Sequence, residues 1–401
     1  MHGPGQPAIS AVSRLNEPPA LVKWIEAGEP RNARWQSEAG LLPPQRIVVV
    51  DDRITADAAL REASEGAALL WRGDFHNAQQ LLQAMARRID NRTARHAGRA
   101  AEAGAVAFHR YRMQRAQRAR TLGMLLLPFD ADHRIALSRA PDVSAACREA
   151  HGEGDAPYVA SLRELLGIIG AHEWRKRGIE VSAIGARIHP HYGVFAPIRS
   201  EYVDLVARAP LGPVVPQIAF DIGTGTGVLA AVLARRGIAR VVATDNDPRA
   251  LACARDNVHR LSLADVVDVQ QANLFPPDRE AQLVVCNPPW LPGRPGSSLD
   301  KAIYDAGQQM LRGFIEGLPA HLADGGEGWL LLSDLAEHLG LRTRTELLAM
   351  FAAARLDVIG RLEARPSHPR VRDQSDPLHA ARAAEVTSLW RLARRAGEGA
   401  A

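Results

Sequence analysis

The sequence predicts an α/β protein whose second half is an open, mostly parallel sheet of seven strands ending in a strand pair. A smaller, mainly helical or α/β accessory domain precedes it. Three observations carry this reading. From about residue 214 strands and helices alternate strictly, as a parallel sheet with crossover helices requires. A glycine-rich turn, Gly223-Thr-Gly225-Thr-Gly227, stands at the first strand-to-helix junction of that stretch. The 401 residues are too many for one ordinary core and fit two or three domains.

In order along the second half, strands are expected at Ile218–Asp221, Val241–Asp245, Val267–Gln271, Leu283–Cys286 and Trp329–Ser333. Helices are expected at Val228–Arg236, Pro248–Leu261, Leu299–Leu322 and Ala336–Arg355. The second of these opens with proline, which is favoured at a first helical position. Leu356–Glu363 and Val386–Leu392 are the closing strand pair. Earlier in the chain, Arg46–Val50 is the first credible strand, and Asn77–Ile89 spaces Leu81, Leu82, Met85 and Ile89 along one helical face. Helices are also expected at Val106–Leu122 and Ser161–Arg177, whereas Leu125–Phe129 fits a strand or a core helix. The Pro- and Gly-rich start reads as a loosely ordered lead-in over 1–45. The accessory domain is placed at 46–184 and the catalytic-type domain at 185–395.

The composition, 46% hydrophobic and 23% charged, is that of a globular chain, and no apolar run approaches the roughly 20 residues of a membrane span. The N-terminus lacks the basic start and apolar core of a secretory signal. Cys147, Cys253 and Cys286 are far apart and without neighbouring histidine spacing, so neither a disulfide framework nor a metal site is expected. A cytoplasmic location fits that pattern. The net charge is only +4, but it is unevenly placed: residues 85–120 hold ten arginines against Asp90 and Glu102, a local +8. Within that window Phe108-His-Arg-Tyr111-Arg112 interleaves aromatic and cationic side chains. This is the pattern of a surface that grips single-stranded RNA, or of a solvated helix face whose aromatics are core.

Asp221 precedes the glycine turn, and Asp245 ends the next strand 24 residues later. Glycines let the backbone approach a ligand at a helix N-terminus, and an acid after the second strand can hold a ribose diol. A nicotinamide site prefers G-x-G-x-x-G; this chain has D-x-G-x-G-x-G. Directly after the fourth strand stands Asn287-Pro288-Pro289-Trp290. A conjugated nitrogen is a poor nucleophile until acceptors hold its hydrogens. The Asn287 side-chain oxygen and the Pro288 carbonyl can do so, two prolines stiffen the turn, and Trp290 offers a stacking face.

The first pattern resembles motif I of class I S-adenosylmethionine-dependent methyltransferases. The second resembles their (N/D)-P-P-(Y/F/W) motif, found in small-domain enzymes such as release-factor glutamine and ribosomal-RNA guanine-N2 or adenine-N6 methyltransferases. The resemblance implies a Rossmann-like sheet and S-adenosylmethionine as cofactor. It gives Asp221, Gly223, Gly225, Gly227 and Asp245 to the cofactor and Asn287, Pro288, Pro289 and Trp290 to catalysis. It also puts Asn273 where the family often has an aspartate on the adenine, and Phe195, in Tyr192–Pro197, where relatives close the cofactor pocket. The acceptor is expected to be a planar nitrogen of ribosomal or transfer RNA, with a protein glutamine or a non-catalytic RNA-binding role as alternatives. No metal is called for, and Ser367–Ala384, with His368, Arg370, Arg372, Asp373, Asp376 and His379, is a candidate substrate loop.

Overall fold

The computed structural model describes residues 20–97, 104–297, 299–366 and 371–396. They form two compact units: 1–93 with 118–166, and 94–117 with 167–401. Arg99, Glu102, His368 and Arg370 lie outside the described residues.

The first unit is α/β. In chain order it contains β1 (Leu21–Glu26), β2 (Glu29–Trp35), β3 (Arg46–Val50), α1 (Ala56–Ser64), β4 (Ala67–Trp71) and α2 (Phe75–Ala97), then the end of α3 (Gly104–Gly123), β5 (Leu125–Phe129), α4 (Ser144–His151), β6 (Tyr158–Ser161) and the start of α5 (Leu162–Arg177). Its six-stranded mixed sheet runs β1-β2-β6-β5-β4-β3. β4 is buried along its whole length, and α2 buries Ala78, Leu81, Leu82 and Met85 at the expected spacing. The structure corrects the lead-in: β1 and β2 form a hairpin turned by Ala27 and Gly28, both at positive φ. Leu21 and Ile25 on the exposed side of the edge strand β1, and the exposed Glu29-Pro-Arg-Asn32 that opens β2, hide the alternation that would have revealed them.

The second unit continues with β7 (Ile179–Val181), β8 (Ala186–Ile188), α6 (Glu201–Arg208), β9 (Ile218–Ile222), α7 (Val228–Arg235), β10 (Arg240–Asp245), α8 (Pro248–Arg260), β11 (Val267–Gln271) and β12 (Ala281–Cys286). Short β13 (Leu291–Pro292) and β14 (Tyr304–Asp305) follow, then α9 (Gln309–His321), β15 (Leu322–Ser333), α10 (Leu335–His338), α11 (Arg344–Ala353), β16 (Leu356–Ala364), α12 (His379–Ala384) and β17 (Thr387–Arg394). The seven-stranded sheet has the order β11-β10-β9-β12-β15-β17-β16, with β17 antiparallel to both neighbours. That is the predicted fold, including the terminal strand pair. One face packs on α6 and α7 and the other on α9 and α11, through two apolar layers that meet β9 and β12 from opposite sides.

Two expected helices are interrupted. Over 299–322 only residues 309–321 are α-helical, because Gly307 and Gln308 take positive φ and Asp305 caps the helix that follows. Over 336–355, Gly340 at φ +66° ends α10, and Thr343 with Glu346 forms a capping box that starts α11.

Residues 104–117 of α3 belong to the second unit, where Phe108 is 1% exposed and packs with Leu291, Leu335, Leu339 and Leu378. Phe108→Ala should therefore lower stability by about 3–5 kcal/mol, measured by denaturant unfolding of the whole chain. A nucleic-acid stacking residue on the surface would leave the unfolding midpoint unmoved.

Candidate functional site

The parallel register gathers the predicted residues at one edge of the sheet. Thr244 of β10 and Cys286 of β12 both pair with Ile222 of the central strand β9. Asp245 and Asn287, each one residue further, consequently flank Gly223. The chain leaves β9 toward β10 and β11, then returns to the other side with β12, so a crevice opens at this reversal of strand order.

Asp221, at the end of β9, is 1% exposed. Its Oδ2 accepts the Thr224 hydroxyl at 2.6 Å and the Ala230 amide at 3.0 Å. Ala230 is the third residue of α7, whose N-cap is Gly227 and has no side chain to offer. Asp221 thus caps the helix from the preceding strand. Burial, against these two donors, pushes its carboxyl up to about 6, and Asp245 adds repulsion.

Gly223, Gly225 and Gly227 lie at φ +71°, +56° and +80°, which L side chains rarely adopt. The amides of Gly223 and Thr224 both donate to the Thr244 carbonyl, at 2.9 and 2.8 Å. A Cβ on Gly227 would press on Ala254, and one on Gly223 would strike Met310, whereas at Gly225 nothing lies within 4 Å. The turn is therefore closed below and open at its tip.

Asp245 accepts the Gly225 amide at 3.1 Å and the Asp247 amide at 2.9 Å, and burial again raises its carboxyl. Asn273 is exposed beyond β11, and the Ala272 amide before it donates to the Asp245 carbonyl. Phe195 is half-buried beside the buried Val194. Its segment is tied to α8 by His191, whose amide donates to Cys253 Sγ and whose ring meets Asp256 at 3.1 Å.

In the proline turn, the Trp290 indole N–H donates to Asn287 Oδ1 at 2.8 Å. An indole nitrogen only donates, so this contact fixes which amide atom faces it and leaves the oxygen one further acceptor position. Pro288 is buried and Pro289 half-buried. The Trp290 ring packs against both apolar layers and carries the Arg199 guanidinium at 5.1 Å. The ring is thus half-buried and partly covered.

Sequence reasoning missed Asp305. Its carboxylate accepts the amides of Gln309, Met310 and Leu311 at 2.8–3.1 Å, fixing the N-terminus of α9 that delivers Met310 to Gly223. Gly313 and Gly317 on α9 leave room for Leu274 and Phe275, so the helix lies close on the segment after β11. A carboxylate four residues ahead of an apolar helical run is the signal that could have found it.

The arginine window is not a bare cationic surface. In the first unit Arg88 pairs with Asp57 and Arg118 with Asp90, both at 2.7 Å. In the second, Arg112 lies 3.9 Å from the Tyr304 ring centroid and donates to the Arg294 carbonyl, and Arg115 donates to the Tyr111 hydroxyl. Arg92, Arg110 and Arg120 also have partners. In the 367–384 segment, Asp376 pairs with Arg382 and Leu378 is buried against Phe108 and Leu291. Arg372 and Asp373 are exposed, and His379 is half-buried with Nδ1 unpartnered. Among the described residues no helix is long and apolar enough to cross a membrane.

The strand reversal thus gathers a glycine turn, the buried Asp221, the half-buried Asp245 and the amide-bearing proline turn after β12, the arrangement that the two sequence motifs imply. Residues 187–353 match the model of the methyltransferase small domain. Over 159 residues the chain is 31% identical to a release factor glutamine methyltransferase of Cereibacter sphaeroides, covering 36% of this chain and 55% of that one. It is 26% identical over 163 residues to a putative protein N5-glutamine methyltransferase of Methanocaldococcus jannaschii, covering 39% and 80%. It is 48% identical over 69 residues to a ribosomal protein L11 methyltransferase of Pelotomaculum thermopropionicum, covering 17% and 22%. The chain thus spans about a fifth of the L11 enzyme and about half of the release-factor enzyme.

The raised Asp221 carboxyl gives a signed pH dependence. An acid whose ordinary value of 3.8 rises to about 6 on folding costs nothing below pH 3.8, and the ligand-free fold loses stability as pH climbs through 6. Asp221→Asn keeps an acceptor for Thr224 and Ala230. It should stabilise the ligand-free protein above pH 7 by up to about 3 kcal/mol and have no such effect below pH 4, read from unfolding midpoints across pH.

Proposed function

We propose that the second unit binds S-adenosylmethionine between Asp221, the glycine turn and Asp245, and uses Asn287-Pro-Pro-Trp to methylate a planar nitrogen. The observation that carries this is the register that sets Asp245 and Asn287 on either side of Gly223, so that cofactor-holding and acceptor-orienting groups face one crevice. Its electrostatics favour a cationic guest. The buried Asp221 and half-buried Asp245, both with raised values, are relieved by an ammonium or sulfonium and would repel a pyrophosphate. The Gly225 amide, which a phosphate would need, is already given to Asp245.

The bound cofactor supplies an electrophilic methyl group on a sulfonium. Asp245 is placed to hold the ribose hydroxyls, and Asp221 with the glycine backbone to face the methionine end. Asn287 Oδ1, with one acceptor position spare, and the Pro288 carbonyl hold the hydrogens of the acceptor nitrogen and turn its lone pair toward the methyl carbon. The cofactor held there would supply the methyl group to this oriented nitrogen and keep the sulfur–carbon electron pair, and the nitrogen's proton would pass to solvent.

For the acceptor, a protein side-chain carboxamide fits best. The Trp290 ring, with Arg199 over it and both apolar layers against it, leaves little platform for a nucleobase, while an amide needs none. The aromatics of the arginine window are packed inward and most of its cations have partners. The relatives named for glutamine methylation support the same reading, and those named for ribosomal protein L11 support a protein acceptor.

Asp245→Ala should weaken S-adenosylmethionine binding at least about tenfold by calorimetry. Asn287→Ala should leave that affinity within about twofold and lower turnover by about a hundredfold or more. With methyl-labelled cofactor, label is expected in a mixture of release factors and ribosomal proteins. Label confined to ribosomal or transfer RNA would replace the protein acceptor with RNA, and no cofactor binding at all would refute the proposal.

A further inference from the structure

Trp290 is not held by the core alone. The Arg199 guanidinium over its ring is gripped from two sides: Nε donates to Glu201 Oε1 at 2.6 Å and Nη2 to Glu385 Oε1 at 3.0 Å. Glu201 is 7% and Glu385 2% exposed. Glu385 Oε1 also accepts the Ser333 hydroxyl at 2.7 Å, and Ser333 Oγ accepts the Leu335 amide. Glu385 Oε2 is buried without a hydrogen-bond partner.

A buried carboxylate with an unused oxygen is costly to the fold. Its position gives it a use. Ser333 closes β15, and Glu385 stands two residues before β17 opens, at the sheet edge where Asn287 follows β12. Arg199 leads into α6, directly after the aromatic segment at 192–197. One ion pair therefore ties three segments, far apart in sequence, across the tryptophan of the proline turn.

We infer that Arg199, clamped by Glu201 and Glu385, is a positioning residue. It fixes the plane of the Trp290 indole so that its N–H stays on Asn287 Oδ1 and the second acceptor position of that oxygen points at the substrate nitrogen. The inference takes the acceptor chemistry from the preceding subsection and adds how the acceptor oxygen is aimed. The contacts run from Ser333 through Glu385 and Arg199 to Trp290 and Asn287. Methyl transfer requires the lone pair in line with the methyl carbon, so a loosened indole lowers turnover while cofactor affinity stays.

The test uses full-length protein labelled with nitrogen-15. The chain has seven tryptophans, and Trp290→Phe identifies the Trp290 indole resonance. Glu385→Gln is the decisive variant, because Arg199 keeps Glu201 and the glutamine oxygen can still accept from Ser333. Arg199→Met removes the cation itself, and Arg199→Lys keeps the charge but not the two-sided grip. In Glu385→Gln and Arg199→Met the Trp290 indole N–H should shift and exchange with solvent at least about fivefold faster, the other indoles staying in place, with Arg199→Lys between them and wild type. Calorimetric affinity for S-adenosylmethionine should remain within about twofold, and kcat on the labelled protein mixture should fall about tenfold with the cofactor KM unchanged. An indole resonance and exchange rate identical to wild type in Glu385→Gln would overturn the inference, as would a loss of cofactor affinity equal to the loss of turnover. The indole measurement needs no substrate, so absence of methylation by the wild type would count against the proposed acceptor and leave the positioning role decided by the resonance.

Discussion

The site depends on one buried carboxylate. Asp221 ends the central strand, takes the Thr224 hydroxyl of the glycine turn and caps α7 through the Ala230 amide. Strand, turn and helix meet at this side chain, and the turn can then use three left-handed glycines because its exit is anchored. The interaction is held at a cost. Burial opposes ionisation more strongly than the two donors favour it, and Asp245 nearby adds to the opposition. A site arranged this way is relieved by a positively charged guest.

A second constraint builds the opposite wall. Asp305 collects three amides at the start of α9, and Gly313 and Gly317 let that helix close on Leu274 and Phe275. Leu274 itself stands at φ +71°, its carbonyl held by the Thr244 hydroxyl at 2.6 Å. The segment after β11 is thus clamped between the end of β10 and α9. Met310, delivered to Gly223 by the same helix, excludes any side chain at that glycine.

Over the proline turn lies a layer of segments that are remote in sequence. Phe108 of α3, Leu291, Leu335 and Leu339 around α10, and Leu378 before α12 share one apolar cluster, flanked by Tyr304 under the Arg112 guanidinium. The same arginine-rich stretch that looks like a nucleic-acid grip in one dimension is, in three, partly the roof of the second unit. Phe108 and Tyr111 are spent on packing within that cluster.

The sequence by itself determined the sheet, its strands along the chain with their closing pair, and the residues at its carboxyl ends. Strict alternation leaves a parallel sheet few alternatives, and a ligand turn needs glycine and acid at fixed spacing. Periodicity also placed α2, and residue pattern placed β3. It could not reveal the hairpin of β1 and β2, where exposed Leu21 and Ile25 and the wholly exposed start of β2 erase the alternation. It also missed the two helix breaks, where single residues at positive φ and local caps outweigh a run of good helix formers. Glu201, Glu385 and Asp305 carried no pattern of their own, because their roles exist only when distant segments meet: a carboxylate is a cap or a clamp according to what folding brings within 3 Å of it. Tertiary structure alone decided that Trp290 is partly covered, since a ring's free face depends on every segment packed around it.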